Sequence, residues 1–315
     1  MEIDFWAVGQ GDCSCISLSP SECILIDVGP FGSPIVRWLS EQLARYGNYH
    51  INSLILTHNH ADHCGALDSI VGLRERGLTI GKTCLLQHDV TTGKHIKRFM
   101  LAIFENEQFF HLQCPIAPDV IWADTNRELC VVFPNYQTVT TASTANERSM
   151  ILVLRKINGE NEFIWSGDAP YKNICTHFNG NAHVLVGPHH GAPQDKPKQI
   201  PQNCYKKLFV SLSKTNFHEQ FPNKDYIKRT VQSGVDIACT CFTKNCDHSE
   251  SLIKPSELGH FSPETPKKNG EEVKTYFCRG GMRYCLQNTG CWSIDECDVF
   301  YQSARDELIK RLCRP

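Results

Sequence analysis

The run HNHADH at residues 58–63 constrains this chain more than any other feature of its sequence. It places three histidines and an aspartate directly after the apolar segment at residues 53–57, which is predicted to be a buried strand. Loops at the carboxyl ends of strands are where layered α/β proteins bind ligands. Imidazole and carboxylate groups are ligands for divalent transition metals. The run therefore predicts a metal site at a strand end, and the competing interpretation is a polar turn with incidental histidines.

The other segments predict strands mixed with helices. Strands are predicted at residues 3–8, 13–18, 23–27, 53–57, 128–133, 149–157, 162–166, 184–186, 208–211 and 235–240, and helices at residues 34–46, 66–76, 93–110, 223–233 and 298–312. Residues 273–277 and 282–286 predict a closing hairpin after a polar, proline-containing loop at 242–266. This mixture favours a layered α/β architecture.

The composition of the chain argues against some classes of function, among them binding to nucleic acid through overall charge and insertion into membranes. The 32 Lys and Arg residues against 34 Asp and Glu give a net charge of −2, so no global basic field draws the protein to nucleic acid or to anionic membranes. No apolar run reaches the roughly 18 residues that a membrane-spanning helix needs. The first residues lack the basic and apolar regions of a signal peptide. We therefore expect a cytoplasmic protein that does not associate with membranes.

The H-x-H-x-D-H run resembles the metal-binding motif of the metallo-β-lactamase superfamily of binuclear metallohydrolases. Three further motifs occur in the order of that superfamily: before the run, a strand ending in Asp27 with Gly29 beyond it, and after the run, Ser166-Gly167-Asp168 following a strand and PHHG at residues 188–191. The resemblance implies an α/β protein with an αββα four-layer metallo-β-lactamase sandwich, with metals at its rim. It assigns residues 1–240 to the hydrolase domain and residues 241–315 to a cysteine-rich C-terminal extension that completes or decorates the same domain.

Within the superfamily, the chain is similar to the hydrolase domain of ComEC-type competence proteins. The shared motifs are VGQGD at residues 8–12, an N-x-x-S pattern at residues 146–149 and the PHHG segment. This likeness covers roughly residues 3–240. It implies phosphodiester hydrolysis, because ComEC-type domains are regarded as nucleases.

The resemblance implies a role for each motif residue. His58 and His60 hold a first ion, Asp62, His63 and His189 hold a second, and Asp168 bridges the two. His190 could exchange with His189, because two adjacent side chains do not readily face one ion. Asp62, Asp168 and His218 are the implied catalytic groups, with His218 near a substrate phosphate or leaving group; the competing interpretation of His218 is a surface histidine.

Other residues are expected to support these ligands, His190 among them. Asp12 and Asp27 orient imidazole N–H groups unless they only cap turns. Asn146 begins the segment NERS, which lies where most superfamily members have a further histidine. A first site with fewer imidazoles leans from zinc toward harder ions such as Mn²⁺. We therefore expect two divalent metal ions, either zinc or manganese.

The predicted function is that of a binuclear metal-dependent hydrolase, most directly a phosphodiesterase or nuclease that uses a metal-activated water. Basic clusters at residues 94–98, 196–198 and 206–207 could contact nucleic acid, although each could equally be a solvated surface. Two alternatives stay open. The chain could hydrolyse a small ester, lactone or thioester, or it could be a weakly active metal-binding accessory or bacterial defence component with protein partners.

The 17 cysteines are expected to be thiols or metal ligands in a reducing compartment. A structural zinc could be held by Cys239, Cys246, Cys278 and Cys285, although their spacing does not form a C-x-x-C motif. Reduced core thiols and disulfides are the alternatives. Five cysteines in apolar strands are expected to be core residues: Cys13, Cys15, Cys23, Cys84 and Cys130.

Overall fold

Two eight-stranded β-sheets make up the protein, as seen in a computed structural model. The structure describes residues 1–6, 8, 11–86, 88–89, 93–104, 111–142, 144–177, 182–191, 205–210, 236–239, 277–278, 281–286 and 292–295. Within these residues, no helix has both the length and the apolar character that crossing a membrane would require. The mixed α/β class predicted from the sequence is confirmed.

The first sheet joins the beginning of the chain to its C-terminal region. In hydrogen-bonded order its strands are β16 (Trp292–Asp295), β15 (Gly281–Leu286), β1 (Glu2–Trp6), β2 (Ser14–Ser19), β3 (Glu22–Ile26), β4 (Tyr49–Ile55), β5 (Leu78–Cys84) and β6 (His111–Gln113). Strands β3 to β6 run parallel, whereas the other neighbours are antiparallel.

The second sheet has a similar division. Its strands, in hydrogen-bonded order, are β14 (Phe277–Cys278), β13 (Asp236–Cys239), β12 (Tyr205–Val210), β11 (Ala182–Val186), β10 (Asn161–Trp165), β9 (Ile151–Lys156), β8 (Arg127–Phe133) and β7 (Asp119–Ala123). Strands β10 to β14 run parallel, and β7 to β10 are antiparallel. Each sheet therefore has one run of parallel strands whose carboxyl ends share an edge.

Short helices connect the strands. They are α1 (Pro34–Tyr46), α2 (Ala61–Cys64), α3 (Leu67–Val71), α4 (Lys94–Phe104), α5 (Tyr136–Thr141), α6 (Ala145–Arg148) and α7 (Tyr171–His177), with 3₁₀ turns at Arg74–Arg76 and Pro188–Gly191. Helix α1 matches its predicted bounds because Pro34 fixes its start and Gly47, at φ 76°, ends it with an N–H bond to the Leu43 carbonyl.

The core has two layers of apolar contacts. Between the sheets, side chains such as Phe5 and Ile24 from the first sheet pack with Leu152, Phe163 and Trp165 from the second. On the outer face of the first sheet, buried residues of α1, α3 and α4 form a separate cluster. Helix α7 contacts β8 of the second sheet. This layering is consistent with the predicted sandwich.

Two predicted elements differ from the observed ones. The helix predicted at residues 66–76 is divided into α3 and a 3₁₀ turn, because Gly72 ends α3 and Gly77, at φ 99°, ends the turn. The predicted closing hairpin is wrong: β14 joins the second sheet beside β13, whereas β15 pairs with β1 and β16 in the first. The antiparallel pair at this end of the chain is therefore β15 with β16.

Other predictions fall partly or wholly outside the described residues. These are the end of the helix at 93–110, the helices at 223–233 and 298–312, the loop at 242–266, and the side chains of the four proposed zinc-binding cysteines. The expected core thiols are confirmed, since Cys13, Cys15, Cys23, Cys84 and Cys130 are buried and unpaired.

Candidate metal centre

The carboxyl ends of the parallel strands of both sheets meet at one place. Beyond β3, the Asp27 N–H donates to the carbonyl of Ile55 at the end of β4, at 2.8 Å. Residues that precede the antiparallel strand β9 reach the same edge of the second sheet. There the Met150 N–H donates to the Thr57 carbonyl at 2.9 Å, which joins the two sheets. The loops after β3, β4, β10 and β11 therefore converge.

The loop after β4 carries the histidine run into α2. His60 has extended backbone immediately before the helix, so His58 and His60 precede α2 while Asp62 and His63 lie in its first turn. His58 and His63 are fully buried, whereas the side chain of His60 is 46% exposed. The change from strand to helix thus separates the run into two pairs, one of which includes the more exposed histidine.

Gly167 allows Asp168 to approach this loop. Its φ is 48°, and a Cβ at this position would lie 2.3 Å from Ser149 Oγ and 2.7 Å from Thr57 Oγ1. The Asp168 N–H donates to Ser149 Oγ at 3.1 Å. Only glycine fits this close contact and this backbone conformation. The Asp168 carboxylate is consequently buried among the histidines of the neighbouring loop.

The Pro188–Gly191 turn has strained backbone at both of its histidines. His189 and His190 have φ values of 46° and 52°, in the left-handed region. Such conformations cost about 1–3 kcal/mol each for residues other than glycine and cluster at functional sites. The His189 N–H donates to the Gly167 carbonyl at 3.0 Å, so the turn is tied to the loop that carries Asp168.

A first ligand group consists of His58, His60 and Asp168, whose ligand atoms all lie within 4.8 Å of one another. His58 Nε2 lies 3.2 Å and His60 Nδ1 lies 3.8 Å from Asp168 Oδ2. His189 Nε2 approaches the same oxygen at 3.4 Å. The Oδ2 atom of Asp168 is therefore surrounded by three imidazoles.

A second ligand group consists of Asp62, His63 and His190, again within 4.8 Å of one another. His190 Nε2 lies 3.3 Å from Asp62 Oδ2. His63 Nε2 and His190 Nε2 lie 3.1 Å and 3.7 Å from Asp168 Oδ1. The two oxygens of Asp168 thus face different ligand groups. A further cluster of Asp12, Asp27 and His63 also has ion-binding spacing.

The donor atoms fit divalent ions. Ligands about 2.0–2.1 Å from a tetrahedral ion lie about 3.3 Å from one another, which matches the separations around Asp168. His58 Nε2 and Asp168 Oδ2 face each other, yet within the described part of the chain neither atom makes a hydrogen bond. Buried polar atoms without such a partner are uncommon in native proteins and require an explanation. A shared cation would satisfy both atoms.

Hydroxyl and carboxylate groups orient the imidazoles. His63 Nδ1 lies 2.8 Å from Asp27 Oδ2, which leaves Nε2 to face Asp168. His58 Nδ1 lies 3.2 Å from Thr57 Oγ1 and 3.3 Å from Ser149 Oγ. Partners of this kind select the ring nitrogen that is free to bind a metal.

The charges of these groups are strongly coupled. Burial opposes ionisation of Asp168, but the positive charges of His63 and His58 hold the pKa of that carboxyl well below its usual range. Burial likewise opposes the charged form of His63, but Asp168 and Asp27 raise its pKa. The pKa of His58 is lowered by burial and by the charge of His63. Protons thus occupy positions that a cation could take over on binding.

Burial also affects the pKa values of His190 and Asp89. His190 lies between Asp12 and Asp62, and although burial acts in the opposite direction, these carboxylates raise its pKa to about 10. Burial raises the pKa of Asp89 to about 6, against the lowering effect of Arg148 and His60. Strong perturbation by burial and nearby charges is typical of functional sites.

The structure differs from the sequence interpretation in the roles of the two adjacent histidines. We predicted His189 beside Asp62 and His63, with His190 as a supporting group, but His190 occupies that position. The left-handed backbone directs His190 toward Asp62, and His189 toward Asp168 Oδ2. His189 therefore lies beside the first ligand group, where the NERS segment supplies no imidazole.

The other predicted residues are distributed as follows. Asp27 orients His63, and Asp12 Oδ1 lies 3.6 Å from His190 Nδ1. Asn146 belongs to neither ligand group, and its buried Oδ1 makes no hydrogen bond with the described residues. His218 lies outside the described residues.

Three residues near the ligands were not assigned roles from the sequence. Thr57 and Ser149 support His58, and Asp89 lies close enough to His60 to feel its charge. Two features of the sequence could have indicated these supporting roles. Thr57 stands directly before the histidine run, and Ser149 ends the N-x-x-S pattern. Asp89 lies in no recognised motif.

One family model matches the first part of the chain. Residues 6–74 match the family model described as the metallo-beta-lactamase superfamily. No curated protein matched the sequence. The resemblance to ComEC-type domains stays a prediction.

Solved structures with a similar arrangement include Zn²⁺-bound PqqB from Methylobacterium extorquens, at 11% identity over 60% of this chain and 72% of that one, with a TM-score of 0.41. Igni18, described as a metallo hydrolase from Ignicoccus hospitalis, is 11% identical over 75% of this chain and 94% of that one, with a TM-score of 0.40. A diphosphatase of the PhnP family is 12% identical over 76% of this chain and 85% of that one, with a TM-score of 0.37. No residue role is transferred from these proteins. The family match contains the histidine run, and the two-sheet fold is consistent with the metallo-beta-lactamase fold.

Proposed function

We propose that this chain is a binuclear metal-dependent hydrolase that cleaves phosphodiester bonds. The observation that carries the proposal is the position of Asp168. Its Oδ2 lies 3.2 Å from His58 Nε2 in the first ligand group, and its Oδ1 lies 3.1 Å from His63 Nε2 in the second. A carboxylate shared in this way is the arrangement expected of a group that bridges two cations.

The residues of the site differ in exposure, so some are suited to binding ions and others lie where substrate can enter. His58, His63, Asp168 and His190 are buried and fixed by their partners. The His60 side chain is 46% exposed and that of Asp62 is 27% exposed, so water and substrate approach from their side. Bound ions would supply the Lewis acidity that lowers the pKa of water and stabilises negative charge in the transition state.

His189 is a candidate third nitrogen ligand for the first ion. Its Nε2 lies 3.4 Å from Asp168 Oδ2, and its side chain is 17% exposed. With His189, the first group would offer three imidazoles, a set well suited to zinc. Without it, the group would favour manganese, as proposed from the sequence. Zinc and manganese therefore both remain in the proposal.

An anionic substrate is supported by the position of α4. This helix begins beside Gly93, where a Cβ would lie 2.9 Å from the Cβ of Asn59 in the histidine run. Lys94 and Lys97 are exposed in its first turn. Positive charge near the entrance of a site attracts phosphate-containing substrates and does so less at high salt.

The test is an assay of chelator-treated protein reconstituted with Zn²⁺ or Mn²⁺. The substrates are bis-p-nitrophenyl phosphate, single-stranded DNA and a panel of lactones. We expect metal-dependent cleavage of the phosphodiesters that is lost in His60→Ala and Asp168→Ala. The variant Glu162→Gln, in a buried ion pair with Arg127 away from the site, serves as the control that keeps activity.

Each other outcome contradicts a defined part of the proposal. Phosphodiesterase activity that survives both His60→Ala and Asp168→Ala would exclude this site. Cleavage of lactones alone would identify an ester or lactone hydrolase. Binding of two ions without hydrolysis of any substrate would favour the accessory role. Full activity with zinc alone would refute the leaning toward manganese that the sequence suggested.

A further inference from the structure

Asp12 ends the VGQGD motif, and the proposed function assigns no role to this motif. The side chain of Asp12 is 9% exposed, and its buried Oδ2 makes no hydrogen bond with any residue that the structure describes. Its Oδ1 lies 3.6 Å from Nδ1 of the fully buried His190. Burying a carboxylate is costly unless the group is paired. His190 is therefore the partner that the described part of the chain offers to this buried charge.

Gly11 brings the same turn against Asp62, another member of the second ligand group. The φ of Gly11 is 146°, and a Cβ at this position would overlap the backbone carbonyl oxygen of Asp62 and lie 2.9 Å from Cδ of Pro30. Only glycine leaves room for this approach. Two consecutive residues of the motif therefore lie beside the second group, Gly11 against the backbone of Asp62 and Asp12 against the ring of His190.

The two ring nitrogens of His190 face different carboxylates. Its Nε2 lies 3.3 Å from Asp62 Oδ2 inside the second ligand group, whereas its Nδ1 faces Asp12 on the outer side. An imidazole that binds an ion through Nε2 keeps its proton on Nδ1 and donates it to a supporting acceptor. For His63 the acceptor is Asp27, at 2.8 Å from Nδ1. Asp12 occupies the corresponding place beside His190.

We propose that Asp12 is a positioning residue that holds the Nδ1 proton of His190 and thereby makes His190, rather than His189, a ligand of the second ion. The two histidines share a left-handed backbone, so their backbone conformations do not distinguish them. The Nε2 of His189 lies 3.4 Å from Asp168 Oδ2, beside the first ligand group. The 3.6 Å separation between Asp12 and His190 is within ion-pair distance, at which the carboxylate favours a proton on Nδ1. This inference rests on the proposed pair of ions.

Direct binding of a separate ion is the competing explanation for Asp12. Its carboxylate, that of Asp27 and the ring of His63 have ligand atoms within 4.8 Å of one another. However, His63 Nδ1 lies 2.8 Å from Asp27 Oδ2, and the two oxygens of Asp27 accept the N–H and the hydroxyl of Thr57. Two of the three members are therefore already engaged with each other and with Thr57. A positioning role for Asp12 leaves these bonds intact and requires no third ion.

The experiment titrates the chelator-treated full chain with Zn²⁺ in competition with a chromophoric chelator, and with Co²⁺ while its visible absorption is recorded. Asp12→Ala should weaken the binding of one ion by about 10- to 100-fold, as loss of supporting carboxylates does elsewhere. Asp12→Asn keeps the size of the side chain and one acceptor oxygen, so it should weaken the same ion by a smaller factor. Asp68→Asn removes a half-exposed carboxylate on α3 and serves as the control without effect.

Double-mutant cycles separate positioning from direct coordination, with Asp12→Asn in place of Asp12→Ala if the alanine variant does not fold. In a His190→Ala background, the Asp12 change should cause no further loss of ion affinity, because its effect passes through His190. In a His60→Ala background, it should keep its full effect.

Three results would overturn the inference. An additive loss in the His190→Ala background would identify Asp12 as a direct ligand. Unchanged ion affinity in both Asp12 variants, with a lowered unfolding temperature, would mean that Asp12 only stabilises its turn. Failure of the unmodified protein to bind any ion would refute the proposed function itself, and this inference with it.

Discussion

Replacing Asp27 with asparagine tests how the fold prepares His63 for an ion. Asp27 Oδ1 accepts the Thr57 N–H at 2.8 Å, and its Oδ2 accepts the Thr57 hydroxyl at 2.7 Å and lies 2.8 Å from His63 Nδ1. The residue has a φ of 54°. Asparagine tolerates this left-handed conformation well, so the backbone should not change. The substitution therefore alters the hydrogen-bonding chemistry and little else.

The expected size of the effect follows from these bonds. Asparagine has one carbonyl oxygen, which can keep the bond from the Thr57 N–H. Its NH₂ group then faces His63 Nδ1 as a donor, which forces the His63 proton onto Nε2, the nitrogen that faces Asp168. Losing a hydrogen bond to a charged group costs about 1.5–3 kcal/mol. A loss of about 2 kcal/mol corresponds to roughly 30-fold weaker binding of the ion.

The assay is a competitive Zn²⁺ titration of chelator-treated protein, combined with urea unfolding of the metal-free form. Glu162→Gln is the control, because Arg127 donates to Glu162 at 2.6 and 2.9 Å in a buried pair remote from the histidines. Breaking one side of such a pair costs about 3–5 kcal/mol of unfolding free energy and should not change ion affinity. An Asp27→Asn affinity within about threefold of the original, under 1 kcal/mol, would refute the reasoning. So would an equal loss in Glu162→Gln.

Three further predictions concern the contact at Gly167, the charge of His190 and the buried thiols. Gly167→Ala should lower the unfolding free energy by about 2–4 kcal/mol in urea titrations, because its Cβ would lie 2.3 Å from Ser149 Oγ at a φ of 48°. Chelator-treated protein should lose stability as the pH rises from 6.5 to about 10, because the folded pKa of His190 lies above its ordinary value of 6.5 and its stabilisation is complete only below that value. Because the pKa of His63 is raised as well, unfolding curves of His190→Gln should show a smaller decline than those of the original protein. Among the described cysteines, native alkylation followed by mass spectrometry should modify the exposed Cys114 first, and buried Cys84, whose pKa burial raises to about 12, much later.

Each of these predictions has a contradicting result. Unchanged stability of Gly167→Ala would mean that the loops of the two sheets do not touch at this point. A similar decline between neutral and alkaline pH in His190→Gln would assign the effect to other groups. Early alkylation of Cys84 would show that the inter-sheet core opens readily.

The ligand run could be predicted from the sequence because its information is local. His58, His60, Asp62 and His63 follow one strand, and their spacing alone predicts a metal site. Which ligand group each of His189 and His190 faces could not be predicted in the same way. It depends on two consecutive residues in left-handed conformation, which no side-chain pattern indicates.

The strands were predicted better than their pairings. Alternating apolar residues indicate where a strand lies, but its partner is set by contacts between distant parts of the chain. Residues 282–286 were correctly predicted to be a strand, whereas the partner assigned to them was the nearest strand in sequence. Its actual neighbours are β1, almost the whole chain length away, and β16. Short-range turn patterns contain no information about such a pairing.

The pairing of Phe5 with Met282 has a consequence for how the protein can be made and cut. During synthesis, β1 gains this neighbour only after residues 281–286 have been made, so until then one edge of β1 has no partner strand. An exposed strand edge of this kind promotes association with other chains. A fragment that stops at residue 240 would leave that edge permanently open, so a fragment intended to keep the first sheet intact should retain residues 281–286.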